Sequence, residues 1–494
     1  MEGLTGPRVP AVRGLVDGTW VVPDGDVSHV ATDPSTGAAL AEFAESSPAQ
    51  VEAALAAARR AFDDDSRPVW TPAERGRALH ALADRMEASA ELEALLVHDV
   101  GTPVSQTRAG QVRPAVDCLR WFAEAATRGP LGGRERPLPP FAGPGGLSTS
   151  MIVREPVGVV AALTAYNYPP LLIARKLGAA IASGCTTVLL ASVQGQLVAS
   201  HIVELLAGLD LPAGVVNVVI GTADAGRALS SDPRVDLVSF TGSEQVGAAI
   251  LAQGAPTLTK TVLELGGKSP NLVLPDAPLE RLVEPVLARV HSMAGQACGA
   301  NTRILVDRER YGEFVELAAK ALDSVVVGPA ADPSTVVGPV ISAGHRRRVT
   351  GFVERSLAAG ASVLAAREVG PGVPAGGHYV PVQLIEARPD SEIAQEEIFG
   401  PVGVVLPYDS VDDAVRLANG TRFALNANIW GPTSQALGLA RRLRSGNVTV
   451  NGGGGMRQDV GWGGGGASGL GREGGDPGLA EYFEDKHVQW LVDG

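Results

Sequence analysis

Apolar residues recur at helical spacing in two segments near the start of the chain. Each segment begins with a capping residue followed by proline, Ser47-Pro48 and Thr71-Pro72, and carries Gln or Glu three residues after the cap. Apolar side chains then follow every three or four positions. This arrangement predicts two amphipathic helices that pack one face against a core.

From residue 153 onward, short apolar runs of buried-strand type alternate with helical patterns. The predicted strands are 157–163, 186–190, 215–220, 235–240 and 261–265. The predicted helices between them are 169–183, 197–209, 223–230 and one that begins at 244. Such alternation predicts parallel βαβ units, and a second α/β stretch follows from 272 to 448. Ligands of open α/β sheets bind at the carboxyl ends of the strands.

Three segments rich in glycine and proline interrupt this alternation: 129–146, 370–377 and 452–475. The first predicts an excursion out of the first domain. The last is too long for a turn, so we expect it to bring its backbone close to another group.

Composition narrows the class of protein. The chain has 494 residues, 45% hydrophobic and 19% charged, as in globular proteins of about three domains. Its net charge of −13 argues against a nucleic-acid or anionic-membrane partner. Three cysteines, Cys118, Cys185 and Cys298, are too few for a disulfide framework and favour a reducing compartment. Without a long apolar span, a signal peptide or a metal motif, we expect a cytoplasmic protein with no metal and no membrane partner.

Two polar groups follow predicted strands directly. Asn167 lies between a strand and a helix, where its amide can donate to a developing oxyanion or cap the helix. Ser243 lies in the segment 239–247, where two glycines and a helix N-terminus can receive a phosphate; the alternative is a simple helix cap.

Two further residues are candidates for acid–base and nucleophilic chemistry. Glu264 ends a strand before Gly266-Gly267, where partial burial would raise its pKa and make it a base; a salt bridge to Lys268 is the alternative. Cys298 lies in a turn of small residues that leaves its sulfur accessible to a substrate, although a lone cysteine can also be a buried core residue.

Taken together, these motifs resemble the aldehyde dehydrogenase superfamily, in its NAD(P)-dependent hydrolytic branch. The resemblance spans nearly the whole chain, and Glu264 precedes Cys298 by 34 positions. The matching segments are Asn167 with Pro169, 240–243, 264–268, 295–298, 396–401 and 468–473.

The resemblance implies a role for each matching residue. Cys298 would be the nucleophile, Asn167 with the Cys298 backbone N–H would form the oxyanion hole, and Glu264 would activate the deacylating water. NAD or NADP would be the cofactor. The implied cofactor-binding residues are Tyr166, Ser192, Phe240, Thr241, Gly242, Ser243, Leu265, Glu397 and Phe399.

The chain departs from the family pattern in three places. The Lys and Glu that hold the adenosine ribose are Leu190 and Val193, which weakens dinucleotide binding without indicating NAD or NADP. The usual Trp before the catalytic Asn is Tyr166. The pattern Pro-Phe-Gly-Gly-Tyr-Lys stands as Gly-Trp-Gly-Gly-Gly-Gly over 461–466, which places Trp462 in the Phe position and loosens a loop near the substrate mouth.

The resemblance also predicts the residues of a substrate channel, which are Tyr168, Leu171, Leu172, Arg175, Ala297, Met456 and Trp462. Arg175 falls where semialdehyde and lactaldehyde enzymes also carry an arginine, and a guanidinium there would hold a carboxylate or hydroxyl group. The alternative is an arginine that faces solvent or a neighbouring subunit.

We therefore predict an aldehyde dehydrogenase-like α/β fold in three parts. They are a Rossmann-type coenzyme domain over 1–127 and 151–264, an α/β catalytic domain over 265–466, and a β oligomerisation arm over 128–150 and 467–494. Strand edges in the arm predict a homodimer or homotetramer. The expected activity is oxidation of a small-molecule aldehyde to an acid. The alternatives are a CoA-acylating semialdehyde dehydrogenase, which Glu264 disfavours, and a dinucleotide-poor relative that acts as a binding protein or thioester hydrolase.

Overall fold

The computed structural model describes residues 8–64, 70–128, 135–453 and 455–492. Part of the predicted excursion, residues 129–134, therefore lies outside the described residues, as does Gly454. Within the described ranges, no helix combines the length and apolar character needed to cross a bilayer.

The strands share four sheets. They are β1 (Gly14–Val16), β2 (Thr19–Val21), β3 (Ser28–Thr32), β4 (Ala39–Ala44), β5 (Glu135–Gly143), β6 (Gly146–Pro156), β7 (Val159–Leu163), β8 (Thr186–Ala191), β9 (Val216–Ile220), β10 (Leu237–Thr241), β11 (Lys260–Glu264), β12 (Pro270–Val273), β13 (Arg303–Asp307), β14 (Ser362–Arg367), β15 (Val382–Glu386), β16 (Val402–Tyr408), β17 (Asn426–Trp430), β18 (Asn447–Val450), β19 (Gly469–Leu470) and β20 (Phe483–Leu491).

The α-helices pack mainly on the two large sheets. They are α1 (Pro48–Asp63), α2 (Pro72–Ala88), α3 (Ala90–Leu95), α4 (Val104–Gln106), α5 (Arg113–Thr127), α6 (Pro169–Ser183), α7 (Gln196–Ala207), α8 (Ala223–Ser231), α9 (Glu244–Gly254), α10 (Leu279–His291), α11 (Tyr311–Asp323), α12 (Ala343–Ala358), α13 (Glu392–Gln395), α14 (Val411–Ala418), α15 (Thr433–Ala440) and α16 (Gly475–Ala480).

The first sheet has the order β19-β11-β10-β7-β8-β9-β1-β2. Its five central strands are parallel and lie within two residues of the predicted bounds, so the predicted βαβ series is confirmed. Helices α1 and α2 begin with complete capping boxes at Ser47 and Thr71, as the sequence predicts. Apolar residues of these helices and strands form the cores on either face of the sheet.

The second sheet has the order β14-β15-β16-β13-β12-β17-β18 and carries its own core. All its neighbouring strands are parallel except β14, which runs antiparallel along the edge. The second predicted α/β stretch is therefore confirmed. The long glycine-rich segment that follows crosses back to the first sheet, where β19 pairs with β11.

A three-stranded antiparallel sheet, β20-β6-β5, completes the main architecture. It joins residues 483–491 to both strands of the excursion and includes residues 151–156, which the predicted division assigns to the coenzyme domain. The exact domain boundaries stay a prediction.

Candidate active site

Adjacent parallel strands bring the predicted catalytic groups to one edge of the first sheet. Thr241 and Glu264 are paired at the ends of β10 and β11. Asn167 follows β7, the other neighbour of β10, and precedes α6. Because the carboxyl ends of parallel strands share an edge, side chains far apart in sequence converge there.

The cleft at this edge contains ten predicted site residues together with four that are not among the predicted site residues. The predicted ones are Tyr166, Asn167, Thr241, Gly242, Ser243, Glu264, Leu265, Cys298, Glu397 and Phe399. The others are Ala165, Gly266, His345 and Arg348.

The loop that carries Cys298 has an unusual backbone. Met293, Ala294 and Gly295 have φ values of 52°, 53° and 72°, so three successive residues adopt left-handed conformations. A Cβ on Gly295 would lie 2.1 Å from the Gly400 carbonyl oxygen, which leaves room only for glycine. This strained turn ends in Gln296 and presents Cys298, which is half-buried, to the cleft.

Glu264 is buried, with 2% of its surface exposed, and it lies beside the Cys298 thiol. Its Oε1 accepts a hydrogen bond of 2.8 Å from Trp462 Nε1. Burial, and secondarily the charge of Glu473, raise the pKa of Glu264 to about 8. Burial and the neighbouring Glu264 also raise the pKa of the Cys298 thiol well above its usual value. The alternative, a salt bridge from Glu264 to Lys268, is not observed among the described residues, where Lys268 Nζ has no hydrogen-bond partner.

Asn167 is fixed at both its backbone and its side chain. Gln111 Nε2 donates to the Asn167 carbonyl oxygen at 2.9 Å, and Asn167 Nδ2 donates to the Gln296 carbonyl oxygen at 2.8 Å. The amide therefore lies against the loop that carries Cys298. The helix-cap alternative is not observed, because α6 begins without a side-chain cap.

A group of buried polar residues lies behind Glu264. Lys176 forms an ion pair with Glu473 and donates to Ser239 Oγ at 3.1 Å. Tyr482 donates to the same hydroxyl at 3.1 Å, and Thr241 donates to Glu473 at 3.4 Å. These contacts join helix α6, strand β10 and the segment that follows β19 into one polar layer beneath the cleft.

The residues on one side of the cleft fit a nicotinamide ribose. Glu397 Oε1 accepts from the Gly267 N–H at 3.0 Å, and a Cβ on Gly266 would lie 2.4 Å from Glu397 Oε2. Burial raises the pKa of Glu397 to about 7, while the Gly267 N–H opposes this shift. A half-buried carboxylate that reaches the cleft through a glycine gap can accept hydrogen bonds from ribose hydroxyl groups.

Three aromatic rings and the side chain of Arg348 lie around Glu397. Phe399 has a φ of 61°, and its carbonyl oxygen lies 2.7 Å from His345 Nε2, which must carry the proton because a carbonyl only accepts. The rings of Tyr166, His345 and Phe399 pack edge to face. Arg348 donates to the Glu397 carbonyl oxygen at 2.8 Å. His345 and Arg348, one turn apart on α12, escaped sequence reasoning because no local motif marks them.

The adenosine side fits a dinucleotide less well. The Leu190 side chain lies in the core with 6% of its surface exposed. Val193 is apolar and packs against the core on the other face of the sheet. Ser192 Oγ accepts a hydrogen bond from the Gln194 backbone. Ser243 caps α9 by accepting a hydrogen bond from the Val246 N–H, so its helix-cap function is confirmed. Gly242 and Ser243, directly before that helix, border the cleft. Phe240 lies under this turn, because a Cβ on Gly242 would clash with its ring.

The predicted channel residues differ in their burial and in their contacts. Trp462 packs over Gly299, where a Cβ would lie 2.9 Å from the indole ring, and the Arg175 guanidinium lies 6.0 Å from that ring. Arg175 Nη2 reaches Met456 Sδ at 3.7 Å. Arg175 is therefore buried rather than facing solvent. Tyr168 and Ala297 are half-buried, whereas Leu171 and Leu172 are buried, Leu171 in the core around α6.

No group of three or more His, Cys, Asp or Glu side chains able to hold a metal ion occurs in the part of the chain that the structure describes.

Comparison with known proteins gives one consistent result. The model of the aldehyde dehydrogenase family matches residues 20–488. An NADP/NAD-dependent aldehyde dehydrogenase of Escherichia coli is 34% identical over 97% of this chain and 95% of its own. A 3-sulfolactaldehyde dehydrogenase of Pseudomonas putida is 33% identical over 99% of each chain. The crystal structure of betaine aldehyde dehydrogenase from Staphylococcus aureus in complex with NAD⁺ superposes with a TM-score of 0.92, at 30% identity over 97% of this chain and 94% of that one. With this fold, this cleft and these relatives, the chain belongs to the aldehyde dehydrogenase family.

Proposed function

We propose that Cys298, Glu264 and Asn167 carry out the oxidation of an aldehyde to a carboxylic acid, the NAD(P)-dependent activity of this family. The observation that supports this assignment is their convergence. A cysteine on a strained turn, a buried carboxylate beside its thiol and an amide fixed on the same turn line one cleft.

Acylation begins when the Cys298 thiol releases its proton to solvent and its sulfur attacks the aldehyde carbon. Asn167 Nδ2 and the Cys298 backbone N–H donate to the oxygen that gains charge. NAD(P)⁺, when bound, supplies the hydride acceptor that turns the thiohemiacetal into a thioester. Burial, and secondarily the neighbouring Glu264, raise the pKa of the Cys298 thiol, so the protonated thiol predominates before the attack.

Deacylation requires a base. Glu264 in its charged form takes a proton from the water that attacks the thioester, and the acid product leaves as Cys298 regains its proton. The buried carboxyl, with a pKa near 8, accepts a proton more readily than an ordinary glutamate. A base beside the thioester also disfavours the CoA-acylating alternative, since water is activated at that position. A protein that only binds ligands would not need a thiol, a buried carboxyl and an amide donor in one cleft, which disfavours the binding-protein alternative.

The substrate that we propose is an aldehyde with a distal anionic group. Arg175 is 6% exposed, and its Nε has no hydrogen-bond partner among the described residues. Buried cations are usually paired, so a carboxylate or sulfonate of the substrate would complete the pairing. The name of the Pseudomonas putida relative also refers to an anionic aldehyde.

We also propose a cytoplasmic homo-oligomer, dimer or tetramer, assembled in part through the β arm. The three-stranded sheet leaves several apolar side chains exposed, which a second copy would cover. They are Phe141, Leu147, Val488, Trp490 and Leu491. All three cysteines are free, as a reducing compartment requires.

Trapping the acyl-enzyme tests the assignment of the catalytic groups. Glu264→Gln, mixed with butanal and NAD⁺ or NADP⁺, should release one equivalent of reduced cofactor per active site and retain a butyryl group on Cys298. Peptide mass spectrometry locates the group. Cys298→Ala should give no reduced cofactor, whereas Cys118→Ala, which changes a buried cysteine elsewhere, should react normally. Continuous turnover in Glu264→Gln, or oxidation by Cys298→Ala, would refute the assignment.

A further inference from the structure

Among the described residues, the Glu264 carboxylate interacts with the Cys298 thiol and accepts a hydrogen bond from the indole of Trp462. Its Nε1 lies 2.8 Å from Glu264 Oε1. Glu264 Oε2 is buried and has no protein partner in the same ranges. One carboxylate oxygen is thus held, and the other is left for a further donor.

The indole itself is held in place on two sides. The Trp462 backbone exchanges hydrogen bonds of 2.7 and 2.8 Å with the Glu473 backbone. Its ring packs over Gly299, where any larger residue would collide with it. This anchoring stands out because the surrounding segment, 461–466, has glycine at the other five positions.

We propose that Trp462 is a positioning residue for Glu264, whose indole N–H fixes one carboxylate oxygen and directs the other toward the hydrolytic water. The proposal rests on the function of Glu264 as the base. An indole N–H can only donate, so it favours the charged carboxylate over the acid. A phenylalanine, which the family pattern carries at this position, offers no donor. The tryptophan in place of phenylalanine therefore adds a hydrogen-bond donor that stabilises the charged form of Glu264.

Several charged or titratable groups also face Glu264. Glu473 opposes its charge, while Arg175, Lys176 and the Cys298 thiol favour it. All of these groups remain in Trp462→Phe, which keeps an aromatic ring near Arg175 and removes the indole N–H.

The experiment follows hydrolysis of the acyl-enzyme in Trp462→Phe. The butyryl-enzyme is formed with butanal and NAD⁺ or NADP⁺, quenched at short times and quantified by intact mass between pH 6 and 11. Loss of a hydrogen bond to a charged group should move the rising limb of the hydrolysis rate upward by about one to two pH units. Near neutral pH the rate should fall about ten- to a hundredfold and should recover above the new limb. Formation of the acyl-enzyme should change little.

Trp430→Phe is the matched control. Its indole donates to Asn271 Oδ1 at 2.8 Å within the second sheet, so it loses the same kind of hydrogen bond without contact to Glu264. In this control we expect the hydrolysis rate to rise over the same pH range as in the wild type. The proposal would be overturned if the rising limb of the hydrolysis rate stayed at the wild-type pH in Trp462→Phe, or if the lost rate did not recover at high pH. Either result would mean that Trp462 only packs against its neighbours.

A double variant separates this proposal from the proposed function. In the Glu264→Gln background, Trp462→Phe should cause no further slowing of hydrolysis, because the indole acts through the carboxylate. Full hydrolysis in Glu264→Gln alone would refute the base assignment itself. If hydrolysis stalled in Glu264→Gln but its pH dependence were unchanged in Trp462→Phe, only the proposal for the tryptophan would be refuted.

Discussion

Asn167 Nδ2 donates to the Gln296 carbonyl oxygen over 2.8 Å and so connects the amide directly to the turn that presents Cys298. One N–H of the amide is used in this contact, and no second acceptor is found among the described residues. The other N–H is therefore available to a substrate oxygen. Because the acceptor belongs to the loop that carries Cys298, the hydrogen bond fixes the position of the amide relative to that loop.

Replacement of Asn167 by alanine should slow acylation strongly. Loss of one oxyanion donor costs about a hundred- to a thousandfold in the chemical step. Stopped-flow measurement of the burst of reduced cofactor would detect this, since the burst reports acylation alone. Asn419→Ala, which removes an amide that bonds to Arg442 far from the cleft, should leave the burst unchanged. A wild-type burst rate in Asn167→Ala would contradict the oxyanion role.

The raised pKa of Glu264 predicts a pH dependence of turnover. The base works when charged, so hydrolysis should increase as pH rises through about 8, the pKa given by burial and Glu473. Single-turnover hydrolysis measured against pH would show this limb in the wild type and none in Glu264→Gln. A limb near the ordinary value of 4.5 would mean that the carboxyl is solvated in the working enzyme.

The same shift predicts a change in stability. The unfolded carboxyl loses its proton near 4.5, whereas the folded one keeps it to about 8, so the folded state binds more protons between these values. The stabilisation is present below the unfolded pKa and is lost as pH rises through this window. Thermal unfolding from pH 5 to 9 should show a larger fall in Tm for the wild type than for Glu264→Gln. Parallel curves would argue against the shift.

Local patterns predict much of the fold because they depend on near neighbours in sequence. Helix α6 begins and ends at the predicted residues, because Pro169 opens it and Gly184, with a φ of 87°, closes it. The parallel strands follow from their apolar runs.

Contacts between distant segments could not be predicted in this way. The ion pair of Lys176 with Glu473 joins residues 297 positions apart. His345 and Arg348 enter the cleft only because α12 packs against the segment around Phe399. Trp462 was expected to line a channel, yet its indole bonds to Glu264, since a glycine-rich loop carries no pattern that sets the direction of a side chain.

The apolar adenosine side predicts that dinucleotide binding can be strengthened. Leu190→Lys with Val193→Glu restores a cation and an acid at the end of β8, and NAD⁺ binding should tighten by about 1–3 kcal/mol. Each single change is the control for the other. Val193→Glu alone should favour NAD⁺ by repelling a 2′-phosphate, and Leu190→Lys alone should favour NADP⁺ by attracting it. Calorimetric titration measures all four proteins, and unchanged affinities would show that other residues bind the adenosine.

The buried guanidinium of Arg175 predicts a preference for anionic aldehydes. Succinic semialdehyde should exceed butanal in kcat/KM by about ten- to a hundredfold, the value of a charge-assisted pair in a partly desolvated channel. The net charge of −13 repels anions at long range, but screening beyond about 8 Å leaves the local cation dominant. Arg175→Leu should abolish the preference, and Arg175→Lys should retain part of it.

Arg175 also favours the charged form of Glu264, so either change alters hydrolysis of every acyl-enzyme. The ratio of the two aldehydes within one protein cancels most of that effect, because both form an acyl-enzyme that relies on the same base. An equal preference in wild type and Arg175→Leu would mean that the guanidinium does not contact the substrate.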